Sequence, residues 1–348
     1  MITKTSEELQ RLHEDVLKAV GTPGDIATVV ANILVGAHLA GHDSHGIQHL
    51  PHYVQEVGKG DIVPAARPEI VSEKGSVLFV RGNWGWGHFT AHFLTDVAIK
   101  RAKEHGVVLA AAVEINHIGR LGHYAEMAAA EEVVLMVFNG GMAGNMPTAA
   151  PFGGRKSLLA PNPIGMGFPT SQGPPVVLDF ATTRIAGGKV MLAAAKGVDV
   201  PPGCIIDKDG NPTTDPNAWP EAGGSLLPFG EHKGFGIMVA LEILSRILAG
   251  SENYAETEHG GPHMRTAGLT MVAIDSGVFS SKNEFATRTS ELVERIQAAP
   301  PAAGVERVMA PGDFEHRERT RRTEEGIQIP ESTWQDVVNA ADALGVKV

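Results

Sequence analysis

Apolar residues recur at helical spacing in the first forty positions, at Leu9, Leu12 and Val16 and again at Ile26, Val29, Val30, Ile33 and Leu34. A three-to-four-residue repeat lines such side chains along one helical face. Thr5 with Glu8 forms a capping-box pattern that opens the first helix, and Gly21-Thr22-Pro23 closes it. The second helix is expected over 25–40. Beyond the Pro64 to Pro68 linker the period changes. Short apolar runs at 77–80, 107–113, 133–138, 176–180 and 269–274 read as strands, with helices expected over 88–104 and 123–130. Residues 201–228, rich in Pro, Gly and Asp, read as a long loop. The apolar stretch 234–248 reads as a helix buried nearly all round, and 281–298 and 333–344 as amphipathic helices. The pattern predicts an α/β protein with helical arms at both ends.

Composition narrows the function. The chain has 348 residues and a formal net charge of −11, which repels nucleic acid and anionic membrane surfaces. Cys204 is the only cysteine, so an intrachain disulfide and a Cys-rich metal site are excluded. The first residues carry no apolar signal segment, and Glu242 and Arg246 interrupt the 234–248 stretch, so a cytoplasmic protein without a membrane span is expected. No G-x-G-x-x-G follows a strand and no P-loop motif occurs; Gly82-Asn83-Trp84-Gly85-Trp86-Gly87 has the wrong spacing. A bound nicotinamide cofactor would therefore not be held by a Rossmann fingerprint.

The chemistry-bearing residues fall into clusters. Gly41-His42-Asp43-Ser44-His45-Gly46, followed by His49, His52 and Tyr53, brings together four imidazoles, a carboxylate and a hydroxyl. Imidazole titrates nearest neutrality, which suits proton exchange with a substrate oxygen. Other readings remain open at this point. Ser44 and His45 could serve a hydrolase, although adjacent side chains are expected to point apart. His42, His45, His49 and His52 could ligate zinc. Asp43 could simply cap a helix. A second cluster, Asn116-His117-Ile118-Gly119-Arg120-Leu121-Gly122, follows the strand expected over 107–113, where a side chain can face a cleft at the sheet edge. Residues 161–167 and 179–183 read as loops whose N–H groups could cradle phosphates, with turn chemistry as the plainer alternative. Lys233 opens the 234–248 helix, where a cation is unfavourable unless an anion sits beside it.

These segments, in this order, resemble the malate/L-lactate dehydrogenase family, which includes ureidoglycolate, sulfolactate and diketogulonate enzymes and is distinct from the Rossmann lactate dehydrogenases. The matches are Gly41 to Gly46, Asn116-His117-x-Gly119-x-x-Gly122, Pro161-Asn162-Pro163-Ile164-Gly165, Leu178-Asp179-Phe180-Ala181-Thr182, His232-Lys233-Gly234 and Pro311-Gly312-Asp313. The resemblance implies a non-Rossmann α/β fold with a largely antiparallel or mixed central sheet flanked by helices. It suggests a helical arm domain of residues 1–70 plus 299–348 and a sheet domain of 71–298 that binds the cofactor. It implies NAD or NADP, a homodimer, and reversible oxidation of a small 2-hydroxy acid to its 2-oxo acid. His45 and His117 then divide acid/base and substrate-orienting roles, Ser44 binds the substrate carboxylate or carbonyl, and Asp43 holds an imidazole tautomer. Cofactor contacts are expected from Pro161, Asn162, Pro163, Ile164, Asp179, Phe180, Ala181, Thr182, His232, Lys233, Gly312 and Asp313.

This chain departs from the family pattern in places. His49 and His52 stand where the family often has Arg, and imidazole lacks the bidentate fork that grips a carboxylate. The candidate substrate ligands are His49 itself and, as cations, Arg120 and Arg184. Gly187 replaces another common Arg, and Asn139-Gly140-Gly141 lacks the usual Asn-Ser pair. Two alternatives accompany the dehydrogenase reading: a metal-dependent hydrolase built on His42, His45 and His49, and a catalytically silent homologue that binds metabolites.

Overall fold

The structure, a computed structural model, describes residues 1–141 and 147–348. Its centre is a seven-stranded mixed sheet. In chain order the strands are β2 (Glu69–Lys74), β3 (Val77–Arg81), β4 (Val107–Val113), β5 (Val133–Gly140), β6 (Ile164–Phe168), β7 (Val176–Phe180) and β11 (Gly268–Asp275). Spatially they run β2-β3-β4-β11-β5-β6-β7. Every pair is antiparallel except β3–β4, which is joined by helix α4 (Gly87–His105), as a parallel crossover requires. The late strand β11 inserts between β4 and β5, with Met271 opposite both Ala110 and Val137. Buried on both faces, these central strands read as continuous apolar runs.

Helix α4 and α5 (Leu121–Ala130) cover one face, and their Leu94, Ala98, Tyr124 and Ala128 join Leu135, Val137 and Met271 in the main core. Helix α5 approaches β6 closely. A Cβ on Gly165 would lie 2.8 Å from Leu121 Cβ, and one on Gly167 would lie 2.4 Å from Ala125 O. Residues 164–167, expected as loop, are thus a strand whose glycines admit a helix backbone.

A second core joins the two ends of the chain. Helices α1 (Ser6–Ala19), α2 (Gly24–Leu39), α3 (Leu50–Lys59) and α11 (Glu331–Ala343) bury Leu9, Val30, Leu50, Val337 and Trp86. The capping box forms as the sequence indicates, with Thr5 Oγ1 accepting from Glu8 N–H at 3.1 Å. Strand β1 (Ile2–Lys4) pairs with β12 (Ile327–Ile329), antiparallel.

A third cluster gathers Val190 of α6 (Gly187–Lys196), Trp219, Leu226 and Met238 of α7 (His232–Glu242). It corrects the loop expected over 201–228. That segment contains β8 (Ile205–Ile206), β9 (Pro212–Thr213) and β10 (Ser225–Leu226), a small antiparallel sheet. Helix α7 runs on into a π-helical turn, Ile243–Ile247. It is not buried all round: Ile237, Ile243, Ile247 and Leu248 are 37%, 46%, 61% and 59% exposed. One face packs on β5 and β11, and among the described residues nothing covers the other. The remaining helices are α8 (Gly261–Met264), α9 (Lys282–Gln297) and the polar α10 (Asp313–Glu325). Among the described residues no helix is long and apolar enough to cross a membrane.

Candidate active site

The Gly41-to-His49 segment folds as two short turns between α2 and α3, Asp43–His45 and Ile47–His49. It is held from behind by His38. The buried His38 ring accepts the Ile47 N–H at Nε2 (2.8 Å), so in its neutral form Nδ1 carries the proton, donated to Asp43 Oδ1 at 3.0 Å. Gly46 is the position where that ring presses on the chain, since a Cβ there would lie 2.3 Å from His38 Nε2. Arg322 of α10 donates to both Asp43 oxygens and, at 2.8 Å, to His38 O. Burial opposes ionisation of Asp43, but the hydrogen bonds from His38 and Arg322 outweigh it and hold the carboxyl well below its usual range. Asp43 thus fixes the loop through His38; its carboxylate is not bonded to His45 or His117.

The second turn arrives from the end of β4. Asn116 Nδ2 donates to Trp84 O (2.8 Å) and Gly85 O (3.0 Å), which pins the turn. Gly119, at φ +72°, lets the chain pass within 2.9 Å of the His88 ring, measured from where a Cβ would sit. The result brings His117 beside His45, with ring centroids 6.0 Å apart and planes 18° from parallel. His49 lies 5.2 Å from His117 and 6.4 Å from His45.

Two further residues complete the cluster, and sequence reasoning did not assign either a role. Buried Tyr53 places its Oη 2.6 Å from His117 Nδ1 and 3.4 Å from His88 Nε2. Tyr53 is a helix residue four positions after His49, a spacing that stacks the two rings at 5.5 Å. That spacing was the available signal; His88 offered none, because α4 mixes polar and apolar residues at its buried positions.

Burial is the main cause of the cluster's electrostatics. It pushes His45 down to about 3, helped by the charges of His49, His42 and Arg120, and His88 to about 3. His117 falls well below the usual imidazole range for the same reason, with neighbouring imidazoles adding to the effect. The Tyr53 phenol is raised well above its usual range by burial. At neutral pH these groups are uncharged, and each ring offers one donor and one acceptor.

Several expected site residues are engaged in ways that limit their roles. His49 donates from Nε2 to Ser44 O at 2.7 Å, which leaves only the Nδ1 acceptor free on a neutral ring. Ser44 Oγ reaches His45 Nδ1 at 3.1 Å, so these adjacent side chains meet rather than diverge. His42 turns away to Glu315 at 3.0 Å. His42, His45 and His49 therefore do not converge, and this geometry does not support the hydrolase alternative. Arg120 is buried, pairs with Glu126, and has Nε 3.7 Å from Asp179. Arg184 bonds Gly203 O at 3.2 Å. Neither arginine is a free clamp.

The proposed cofactor loops lock onto one another. Thr182 Oγ1 donates to Pro161 O at 2.6 Å, and the buried Asn162 donates to Met238 O and Glu242, each at 3.0 Å. Asp179 Oδ2 accepts from Gly122 N–H at 2.7 Å; burial raises this carboxyl despite the Arg120 charge. Phe180 packs edge-on against Phe229 and is 41% exposed. His232 and Lys233 are exposed at the start of α7. Asp313 sits at the start of α10, where Oδ2 accepts from Ala310 N–H (2.7 Å) and Gln297 (2.9 Å). Gly188 at the start of α6 approaches the loop, since a Cβ there would lie 3.9 Å from Ser44 Cβ. Two helix N-termini, a lysine and an exposed aromatic ring are a donor set that fits a dinucleotide.

Comparison with known proteins agrees with this architecture. The family model for malate/L-lactate dehydrogenase matches residues 5–338. Hydroxycarboxylate dehydrogenase B of Escherichia coli O157:H7 is 35% identical over 97% of this chain and 94% of its own length. L-sulfolactate dehydrogenase of Methanocaldococcus jannaschii is 34% identical over 100% of this chain and 98% of its own. A solved structure described as a putative malate/lactate dehydrogenase from E. coli superposes with a TM-score of 0.91 at 33% identity, covering 100% of this chain and 96% of that one. The chain belongs to the malate/L-lactate dehydrogenase family and is a dehydrogenase of the kind that uses a nicotinamide cofactor.

Proposed function

We propose that the protein interconverts a small 2-hydroxy acid and its 2-oxo acid with NAD or NADP, and that His117 exchanges the hydroxyl proton. The observation that carries this reading is the 2.6 Å contact between Tyr53 Oη and His117 Nδ1, which leaves His117 Nε2 for the substrate. When Nδ1–H donates to Tyr53, Nε2 is an acceptor, as alcohol oxidation requires; Tyr53 in turn can donate to His88 Nε2. When Tyr53 donates to Nδ1, Nε2 carries a proton that a carbonyl oxygen can accept. Tyr53 and His88 together thus accommodate both tautomers and both directions of reaction.

The nicotinamide, when bound, supplies the hydride acceptor or donor for the substrate carbon. His45, braced by Ser44, orients the substrate oxygen from the opposite side. Arg120, held by Glu126 and Asp179, acts on the site through its charge, which is felt at His45, rather than as a free fork for the carboxylate. Pro161–Ile164, Asp179–Thr182, His232, Lys233, Gly312 and Asp313 line the cofactor's path. The names of the relatives point to small acids, and the substrate proposed here is malate- or lactate-like. We further propose an arm of residues 1–70 and 299–348 around a sheet domain of 71–298, a cytoplasmic location, and a homodimer that covers the apolar face of α7.

The test is a panel of 2-oxo acids bearing methyl, carboxylate or sulfonate groups, each assayed with NADH and NADPH. Turnover of at least one acid, with His117→Ala lowering kcat about 10²–10⁴-fold, is expected. Failure of every acid together with no dinucleotide binding would overturn the reading, and dinucleotide binding without turnover would favour the silent homologue.

A further inference from the structure

The outer side of α10 faces a groove of about 750 Å³ lined by Arg307, Asp313, His316, Arg317, Arg321 and Glu324, among others. The opposite side of the same helix carries Glu315 and Arg322, which hold the histidine loop. In a chain of net charge −11, three guanidinium groups around one cavity stand against the overall field. Arg321 is braced at 2.8 and 2.9 Å by Glu318 and Glu325, which fixes its direction. Arg317 extends over the Phe314 ring at 5.9 Å.

Strand β7 links the groove to the turn that carries His117. Gly312, beside Asp313, packs on the start of β7, where its Cβ would lie 3.2 Å from Val177 N. Asp179, two residues further along the same face of that strand and about 7 Å away, is bonded to Gly122 N–H beyond the His117 turn. The groove and the His117 turn are thus joined through one short strand, by Gly312 at one end and Gly122 at the other.

We propose that this groove takes the 2′-phosphate of NADP, with Arg307, Arg317 and Arg321 as its ligands, so that the enzyme prefers NADP to NAD. The inference rests on the dehydrogenase reading above and deepens it. Guanidinium forks match the geometry and charge of a phosphomonoester. A site for NAD instead offers a free carboxylate to the ribose hydroxyl. Here the groove's carboxylates, Asp313 and Glu324, are outnumbered by its three guanidinium groups, and Asp313 Oδ2 already accepts from Ala310 N–H and Gln297.

The test is calorimetric titration of the intact protein with NADPH, NADH, 2′-AMP and 5′-AMP, independent of turnover. NADPH is expected to bind at least about ten-fold more tightly than NADH, and 2′-AMP more tightly than 5′-AMP. Arg317→Ala and Arg307→Ala should each shrink the NADPH-to-NADH preference about ten-fold. Arg317→Lys, which keeps a point charge, should retain part of it. Equal or tighter binding of NADH, or variants that weaken both dinucleotides equally, would overturn the phosphate site and leave the dehydrogenase reading intact. Binding of neither dinucleotide would overturn both.

Discussion

Tyr53 Oη and His117 Nδ1 lie 2.6 Å apart, although 64 residues separate them in the chain. The phenol comes from the arm core and the imidazole from the sheet edge, so the contact joins two packing units at one proton-bearing atom. Tyr53→Phe removes the hydroxyl and keeps the ring. It should lower kcat about ten-fold or more with little change in KM, because the loss concerns how His117 is held rather than how substrate binds. Unchanged kcat in steady-state assays would show that His117 needs no partner.

Stability should fall on mild acidification. His45 and His88 are depressed to about 3, and His13 and His123 to about 4, chiefly by burial. The unfolded chain takes up protons below its ordinary imidazole pKa of about 6.5, while the folded chain does not. Stability is therefore complete above that value and is lost as pH falls toward the folded values. Each such histidine should cost about 2 kcal/mol between pH 7 and pH 5. Asp43, held low, keeps its contribution across this window and loses it only in stronger acid. Urea unfolding at the two pH values measures the difference.

Gly46→Ala should be damaging despite its small size. The added Cβ would meet His38 Nε2 at 2.3 Å, and the ring is fixed by Asp43 and Ile47. A loss of about 1–3 kcal/mol is expected from overpacking, together with loss of activity as His45 shifts. His38→Ala in the same chain opens space and should recover part of the stability. Absence of any recovery would place the strain elsewhere.

The apolar face of α7 predicts association. Ile243→Asp or Ile247→Asp, at positions 46% and 61% exposed, should leave the fold intact and shift the protein from dimer to monomer in light scattering. A wild-type monomer would assign this face to another partner.

Much of this architecture is legible in the chain. The Thr5 and Glu8 cap, the apolar strands and the two histidine turns stand out because each is a local signal. What escaped is set by distant neighbours. β6 looks like a loop because Gly165 and Gly167 are required by α5, some forty residues earlier. β2 is an exposed edge strand, Glu69–Lys74, without a clean alternation. Helix α10 buries no residue, so no apolar stripe marks it. Within the site, the pairing of His45 with His117 came from family resemblance rather than spacing. The commitment of His49 to Ser44 O and of Arg120 to Glu126 depends on tertiary geometry.

Helix α10 gives the carboxyl-terminal end of the chain authority over a loop near the amino-terminal end. Arg322 secures Asp43, and Ile2–Lys4 has no strand partner until Ile327–Ile329 exists. During synthesis, then, the histidine loop waits, incomplete, until residues 313–329 have been made. A polypeptide stopped near residue 310 would carry every histidine of the cluster and lack the Arg322 contact that secures their loop.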